Sequence, residues 1–151
     1  MSAVTIRVIG EPAPKGSGRA MVRGGRPVFV ASGSNVNRMK LAQWNSAVAR
    51  ACIAAKVPKI ADGPVEVKID FHMRRPLTHY TSRGKLKANA PTHSMTKPDV
   101  DKLARSTLDA LTDIGVWTDD SQVAYLVASK LYVPEGVETG AVIAISRLDG
   151  E

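Results

Sequence analysis

The chain has 151 residues, which is room for one domain with a core of its own and too little for two ordinary ones. It carries 21 Lys and Arg against 14 Asp and Glu, a formal net charge of +7, and such a balance suits a polyanionic partner, whose phosphates release counterions when basic side chains replace them. The lone cysteine, Cys52, excludes a disulfide framework within the chain and a thiolate zinc site; with no apolar run long enough to span a membrane and no signal-peptide pattern, a cytoplasmic single-domain protein over residues 1–151 is expected.

In chain order, Val4, Ile6 and Val8 alternate with Thr5 and Arg7, the period of a strand. Residues 10–18, with Pro12, Pro14, Lys15 and Gly16, form a loop. Met21–Val22 and Val28–Val30 flank Gly24-Gly25 as a small hairpin. Ser32–Ser34 offers an N-cap for a helix from about Val36 to Lys56, which Pro58 stops. Leu41, Trp44, Val48, Cys52 and Ala55 fall on one face of it, which gives Trp44 a core role. Val65, Val67, Ile69, Phe71 and Met73 alternate with Glu66, Lys68, Asp70 and His72, the clearest strand in the chain, with one buried face.

Residues 74–97 show no period and contain Arg74, Arg75, Arg83, Lys85, Lys87 and Lys97 with no acid. A connection of this length is usually functional or disordered. Val100, Leu103, Ala104, Thr107, Leu108 and Leu111 then follow helical spacing up to Gly115. Strands over Val123–Val133 and Ala141–Leu148 complete the chain. The order predicts an α/β (α+β) two-layer sandwich, a mixed sheet with two helices packed on one face.

The acids are not spread evenly. Residues 1–61 hold ten Lys or Arg and one acid, Glu11, whereas six of the fourteen acids lie between Asp99 and Asp120. Asp99 reads as the N-cap of the second helix, and Asp101 lies in its first turn. Residues two apart on a regular helix point to different sides, but at the entrance the first is not yet helical, so the two carboxylates can converge. A second pair, Asp119-Asp120, follows the helix. By sequence alone it can sit at either end of that helix; if the chain folds back at Ser121, one of its carboxylates completes a cluster. Crowded carboxylates repel each other, and Mg²⁺, with its preference for hard oxygen ligands and a few carboxylates, would relieve that. The plainer alternatives are capping and dipole compensation for Asp99 and Asp101 and a simple turn for Asp119-Asp120.

The run Lys97-Pro98-Asp99-Val100-Asp101, then Leu103, Leu108-Asp109-Ala110-Leu111 and Trp117-x-Asp119-Asp120-x-Gln122-Val123 resembles the RusA-like Holliday junction resolvases. Gly10-x-Pro12-x-Pro14-Lys15 followed by a helix is similar to the phage-type members. The resemblance implies a homodimeric, Mg²⁺-dependent crossover junction endodeoxyribonuclease that nicks two opposed strands of four-way DNA, with no nucleotide cofactor. It places the metal-binding aspartates on Asp99, Asp101 and Asp120. It also implies an Asn where this chain has Lys102 and a catalytic lysine where it has Arg105. Arginine keeps its proton but can grip phosphate oxygens bidentately; its plainer role is an i to i+4 pair with Asp101.

Lys15, Arg19, Arg74, Arg75, Arg83, Lys85, Lys87 and Lys102 are the expected DNA-backbone contacts, and Tyr80 a possible base-stacking group. Asp119 reads as a turn residue that orients its neighbour, and Asp70 and His72 as solvated groups on a strand. A broader branched-DNA nuclease and a junction-binding protein that no longer cuts are the alternatives, the second kept open by Arg105.

Overall fold

The computed structural model describes residues 3–16, 18–31 and 35–148. Strand β1 (Val4–Ile9) is followed by the hairpin strands β2 (Gly18–Arg23) and β3 (Arg26–Ala31), helix α1 (Asn35–Ala55), strand β4 (Val65–Met73), helix α2 (Val100–Ile114), and strands β5 (Val123–Tyr132) and β6 (Gly140–Arg147). Every predicted element is present within a few residues of its expected ends. The proposed N-cap at Ser32–Ser34 lies outside the described residues. Gly24 and Gly25, with φ of 57° and 74°, turn the hairpin in two residues, a conformation that favours glycine at both positions.

Four strands form a mixed sheet in the order β1-β6-β4-β5, and β2 and β3 pair apart from it. β6 runs antiparallel to both β1 and β4, while β4 and β5 are parallel, the pair joined by the crossover through α2. The first residue of β6, Gly140, has a φ of +156°, and a Cβ there would stand 1.9 Å from the Val8 carbonyl oxygen, so only glycine lets β1 approach.

Alternation on β4 works as the sequence indicates. Val65, Val67, Ile69 and Phe71 are buried beneath the helices together with Ile143 and Ile145 of β6. α1 contributes Trp44, Ala47, Val48 and Cys52, and α2 contributes Leu103, Ala104, Ala110 and Leu111. Trp44 is 1% exposed and its Nε1 donates to Thr107 Oγ1 at 3.1 Å, so the ring joins the helices and cannot stack on a base. Burial of this kind, at roughly 25 cal/mol per Å² of apolar area, is what holds the two layers together.

Glu66, Lys68, Asp70 and His72 occupy the opposite, open face of the sheet. Asp70 accepts from Ser129 Oγ at 2.6 Å. His72 Nδ1 is buried without a partner among the described residues. Burial, and then the Arg7 charge, hold the imidazole below its ordinary value, with Asp70 pulling the other way. The unfolded chain therefore binds this proton at higher pH than the folded one, and stability falls as the pH drops through the ordinary histidine range and below. Urea midpoints should decline between about pH 7.5 and 5, and His72→Gln should flatten that slope; an unchanged slope would remove His72 as its source.

Candidate active site

Helix α2 positions the acids. Asp99 is its N-cap residue, with extended backbone (φ −71°, ψ 143°), and its side chain makes no capping hydrogen bond. The carboxylate is exposed, and its nearest cation is Lys102 Nζ at 3.9 Å. The helix begins with the Leu103 N–H donating to the Asp99 carbonyl at 3.1 Å. Asp101, in the first turn, is exposed. Arg105, also exposed, forms no ion pair with Asp101 among the described residues, so the i to i+4 pair is not made and both groups stay available. The helix N-terminus favours negative charge at this point.

Beside Asp99 opens a cleft of about 510 Å³ between the loop after β1 and the first turns of both helices. Lys15, Arg38, Lys40, Lys97 and Lys102 line it, against Glu11 and Asp99. A smaller groove of about 270 Å³ continues it past Lys97 and Pro98 to Arg74 and Arg75. The loop is fastened to α2: the Lys15 N–H donates to the Lys102 carbonyl at 3.1 Å, Ser106 Oγ donates to the Ala13 carbonyl at 2.6 Å, and Lys15 Nζ pairs with Asp109 at 2.8 Å. Lys15, Lys97 and Lys102 thus share the cleft with Arg38 and Lys40. The last two were visible in the sequence only as part of the basic N-terminal third.

The 74–97 connection is folded rather than loose. Arg75 is half-buried, with its guanidinium 5.2 Å from the centre of the Tyr132 ring, and it donates to the Pro91 carbonyl at 2.8 Å. His79 meets the same ring edge-on. Arg75 therefore braces the loop. Arg74, Arg83, Lys85 and Lys87 are exposed, and Tyr80 is half-buried in a bridge to Leu86. Arg19 lies on β2, and its side chain is outside the described residues. Lys130, which the sequence did not single out, donates to the carbonyls of Thr96 and Pro98 at 2.5 and 2.8 Å. It fixes the approach to Asp99 from the far end of β5. The only sequence signal was a charge in an otherwise neutral strand.

The second acidic pair is elsewhere. Asp119 caps the short turn Asp120–Gln122, accepting from the Ser121 N–H at 2.9 Å. Its hydrogen bonds to Ser121 hold its carboxyl below the usual range. Gln122 closes the capping box and donates to the carbonyls of Ile60 and Gly63. Asp120 accepts from Thr112 Oγ1, which in turn accepts from Trp117 Nε1 at 2.6 Å. Thr112 stands in the last turn of α2. At 1.5 Å per residue, the 13 steps from Asp99 span about 20 Å, so within one chain Asp120 is held at the opposite end of the helix from Asp99 and Asp101. The expectation that the chain folds back to complete a three-aspartate cluster is not met by one copy, because the turn after Gly115 returns the chain into β5 beside the C-terminal end of α2.

Among the described residues no three Asp, Glu, His or Cys groups stand close enough together to hold an ion. What α2 offers at its start is two exposed carboxylates, Asp99 held only by the Lys102 contact at 3.9 Å, and carboxylates are the hard oxygen donors that Mg²⁺ takes alongside water and substrate phosphate. That donor set fits the ion.

A family model described as endodeoxyribonuclease RusA matches residues 11–145. A protein of Bacillus subtilis (strain 168), called uncharacterized protein YqaN, is 30% identical over 139 residues, 89% of this chain and 92% of that protein. No described helix is long and apolar enough to cross a membrane.

Proposed function

The chain belongs to the RusA endodeoxyribonuclease family, and on that premise we propose that it is a Mg²⁺-dependent nuclease that resolves four-way DNA junctions by paired nicks in opposed strands. The observation that carries this reading is the pair of exposed carboxylates at the α2 N-terminus, Asp99 lining a cleft that five cations also line and Asp101 two residues further on. A basic channel alone would suit any polyanion binder. Acids at its mouth oppose phosphate binding unless a cation stands between, so their presence favours catalysis over binding.

The proposed site draws on two copies. Asp99 and Asp101 of one protomer, with Asp120 of the partner subunit, would hold the ion, because one chain keeps these groups about 20 Å apart along the helix. A homodimer with twofold symmetry then carries two equivalent sites, as two opposed strands require. The ion, when bound, supplies a Lewis acid for the scissile phosphate and lowers the pKa of an attacking water.

The chain's own groups do the rest. Lys15, Arg38, Lys40, Lys97 and Lys102 bind backbone phosphates along the cleft, and Arg74, Arg83, Lys85 and Lys87 extend that track over the loop. Arg105, one turn beyond Asp101, would grip non-bridging phosphate oxygens bidentately and stays charged throughout. Its part there is to stabilise charge rather than to carry a proton. Such a protein acts in DNA recombination and repair in the cytoplasm.

Incubation with a four-way junction, a flap and a plain duplex, with Mg²⁺ and with chelator, tests the proposal. Symmetric nicks in the junction, lost on chelation, are expected. Equal cutting of the flap would show a broader branched-DNA nuclease. Tight junction binding with no cut under any divalent metal would show a binding protein.

A further inference from the structure

Side chains along β5 alternate between the two faces of the sheet. Ser129 faces the open side, where it donates to Asp70. Ala128, Lys130 and Tyr132 face the helices, beside Ile69, Phe71 and Met73 of β4. Lys130 thus stands in a core-facing row, next to a phenylalanine that is 0% exposed. A half-buried ammonium in such a row costs free energy unless its donors are used. Lys130 Nζ has three donors and gives two of them to the carbonyls of Thr96 and Pro98. It makes no ion pair among the described residues. A cation spent on two backbone carbonyls, with no acid as its partner, is a clamp on the chain.

The clamped chain leads straight into the candidate site. The Pro98 carbonyl belongs to the planar peptide whose nitrogen is that of Asp99, so holding its oxygen fixes the plane from which the Asp99 side chain leaves. Asp99 makes no capping bond of its own that would steady the carboxylate. The same lysine also takes hold further back, where its carbonyl accepts from the Ser94 N–H at 3.0 Å. Lys130 therefore grips the approach to α2 at residue 94 through its backbone and at residues 96 and 98 through its side chain. Lys97, between the last two, is exposed and lines both the cleft and the smaller groove.

We infer that Lys130 is a positioning residue for the metal site: by clamping residues 96–98 to the end of β5, it sets the Asp99 carboxylate where an ion can take it. The inference rests on the reading that Asp99 helps to hold the ion, and it names the group that prepares Asp99 for that task. Lys130 acts on Asp99 through the backbone, not on the DNA. A ligand held in place beforehand need not be ordered when the ion binds, so the clamp raises affinity for the ion. An apolar side chain of the same reach would fill the row, leave both carbonyls without this donor, and release the approach to α2.

Titration of the full chain with Mn²⁺, a paramagnetic ion that takes the same oxygen ligands, tests this without any cleavage: bound ion is read from the loss of the free-ion resonance signal. Lys130→Met should weaken Mn²⁺ binding about tenfold, the scale reached when a group that orients a metal ligand is removed, while junction affinity in chelator stays within about twofold of the parent. In an Asp99→Asn background the same change should cost little more, because the carboxylate it positions is gone. Should Lys130→Met melt too early to titrate, Lys130→Gln, one bond shorter but polar at its head, carries the same comparison. An equal loss in both backgrounds would overturn the inference, since Lys130 would then act elsewhere. Unchanged Mn²⁺ binding with weakened junction binding would overturn it too, and make Lys130 a DNA contact. A Mn²⁺ affinity that Asp99→Asn itself leaves unmoved would instead overturn the reading of Asp99 as a ligand.

Discussion

Asp101→Asn is expected to abolish strand cleavage and to leave DNA binding as tight as in the parent chain or tighter. The substitution keeps the shape of the side chain and removes one negative charge. Asp101 is exposed, and no hydrogen bond or ion pair of its side chain holds the fold among the described residues, so the melting temperature should move little. The amide is a poor ligand for a hard cation, and the helix loses one of the carboxylates that the proposed ion would use. A loss of about 10²-fold or more in single-turnover rate follows, the scale seen when a preorganised charge is removed from a reacting centre. Binding moves the other way, since an acid facing phosphate costs affinity. Gel shifts in chelator and cleavage in Mg²⁺ separate the two effects. Normal cutting by this variant would remove Asp101 from the site.

The elements of the fold were legible because each is written locally. β4 alternates residue by residue between core and open face. α2 is bounded by Asp99 and by Gly115, whose φ of 88° ends the helix in a left-handed turn. Gly24-Gly25 fixes the hairpin. What local pattern cannot state is which strands become neighbours. The order β1-β6-β4-β5 follows from pairings between residues far apart in the chain, such as Val4 with Ile145, Val65 with Arg147 and Val67 with Leu126.

The candidate site divides in the same way. The two carboxylates at the α2 entrance were legible from spacing and capping. The place of Asp120 was not, since a return of a few residues after a 15-residue helix can deliver a side chain to either end. The Trp117–Thr112–Asp120 chain of hydrogen bonds decides it, and Thr112 looked like an ordinary helix residue. The 74–97 loop looked unstructured for a related reason. Its order comes from Arg75 against Tyr132 and from Lys130 on Thr96 and Pro98, contacts between residues that carry no periodic signal.

Mixing two inactive variants should restore cleavage. Asp101→Asn and Asp120→Asn are each expected to be inactive as homodimers, because every site then lacks one carboxylate. In a mixed dimer, one site combines both lesions, while the other combines the intact Asp101 of one protomer with the intact Asp120 of its partner. If subunits exchange freely, half of the dimers are mixed and half of their sites are whole, so about a quarter of parental nicking returns. Mixed dimers hold a single working site, so on a four-way junction the recovered product should be single nicks rather than symmetric pairs. A site built within one chain gives the opposite result, since every site in the mixture keeps its own lesion and no activity returns. Asp120→Asn also weakens the acceptor of the Thr112 hydroxyl, so a variant with a damaged turn would fail alone. Recovery in the mixture shows that its remaining surface, including its own Asp99 and Asp101, is intact. Nicked product measured against the mixing ratio therefore separates a shared site from a self-contained one: it peaks at equal proportions in the first case and stays at baseline throughout in the second.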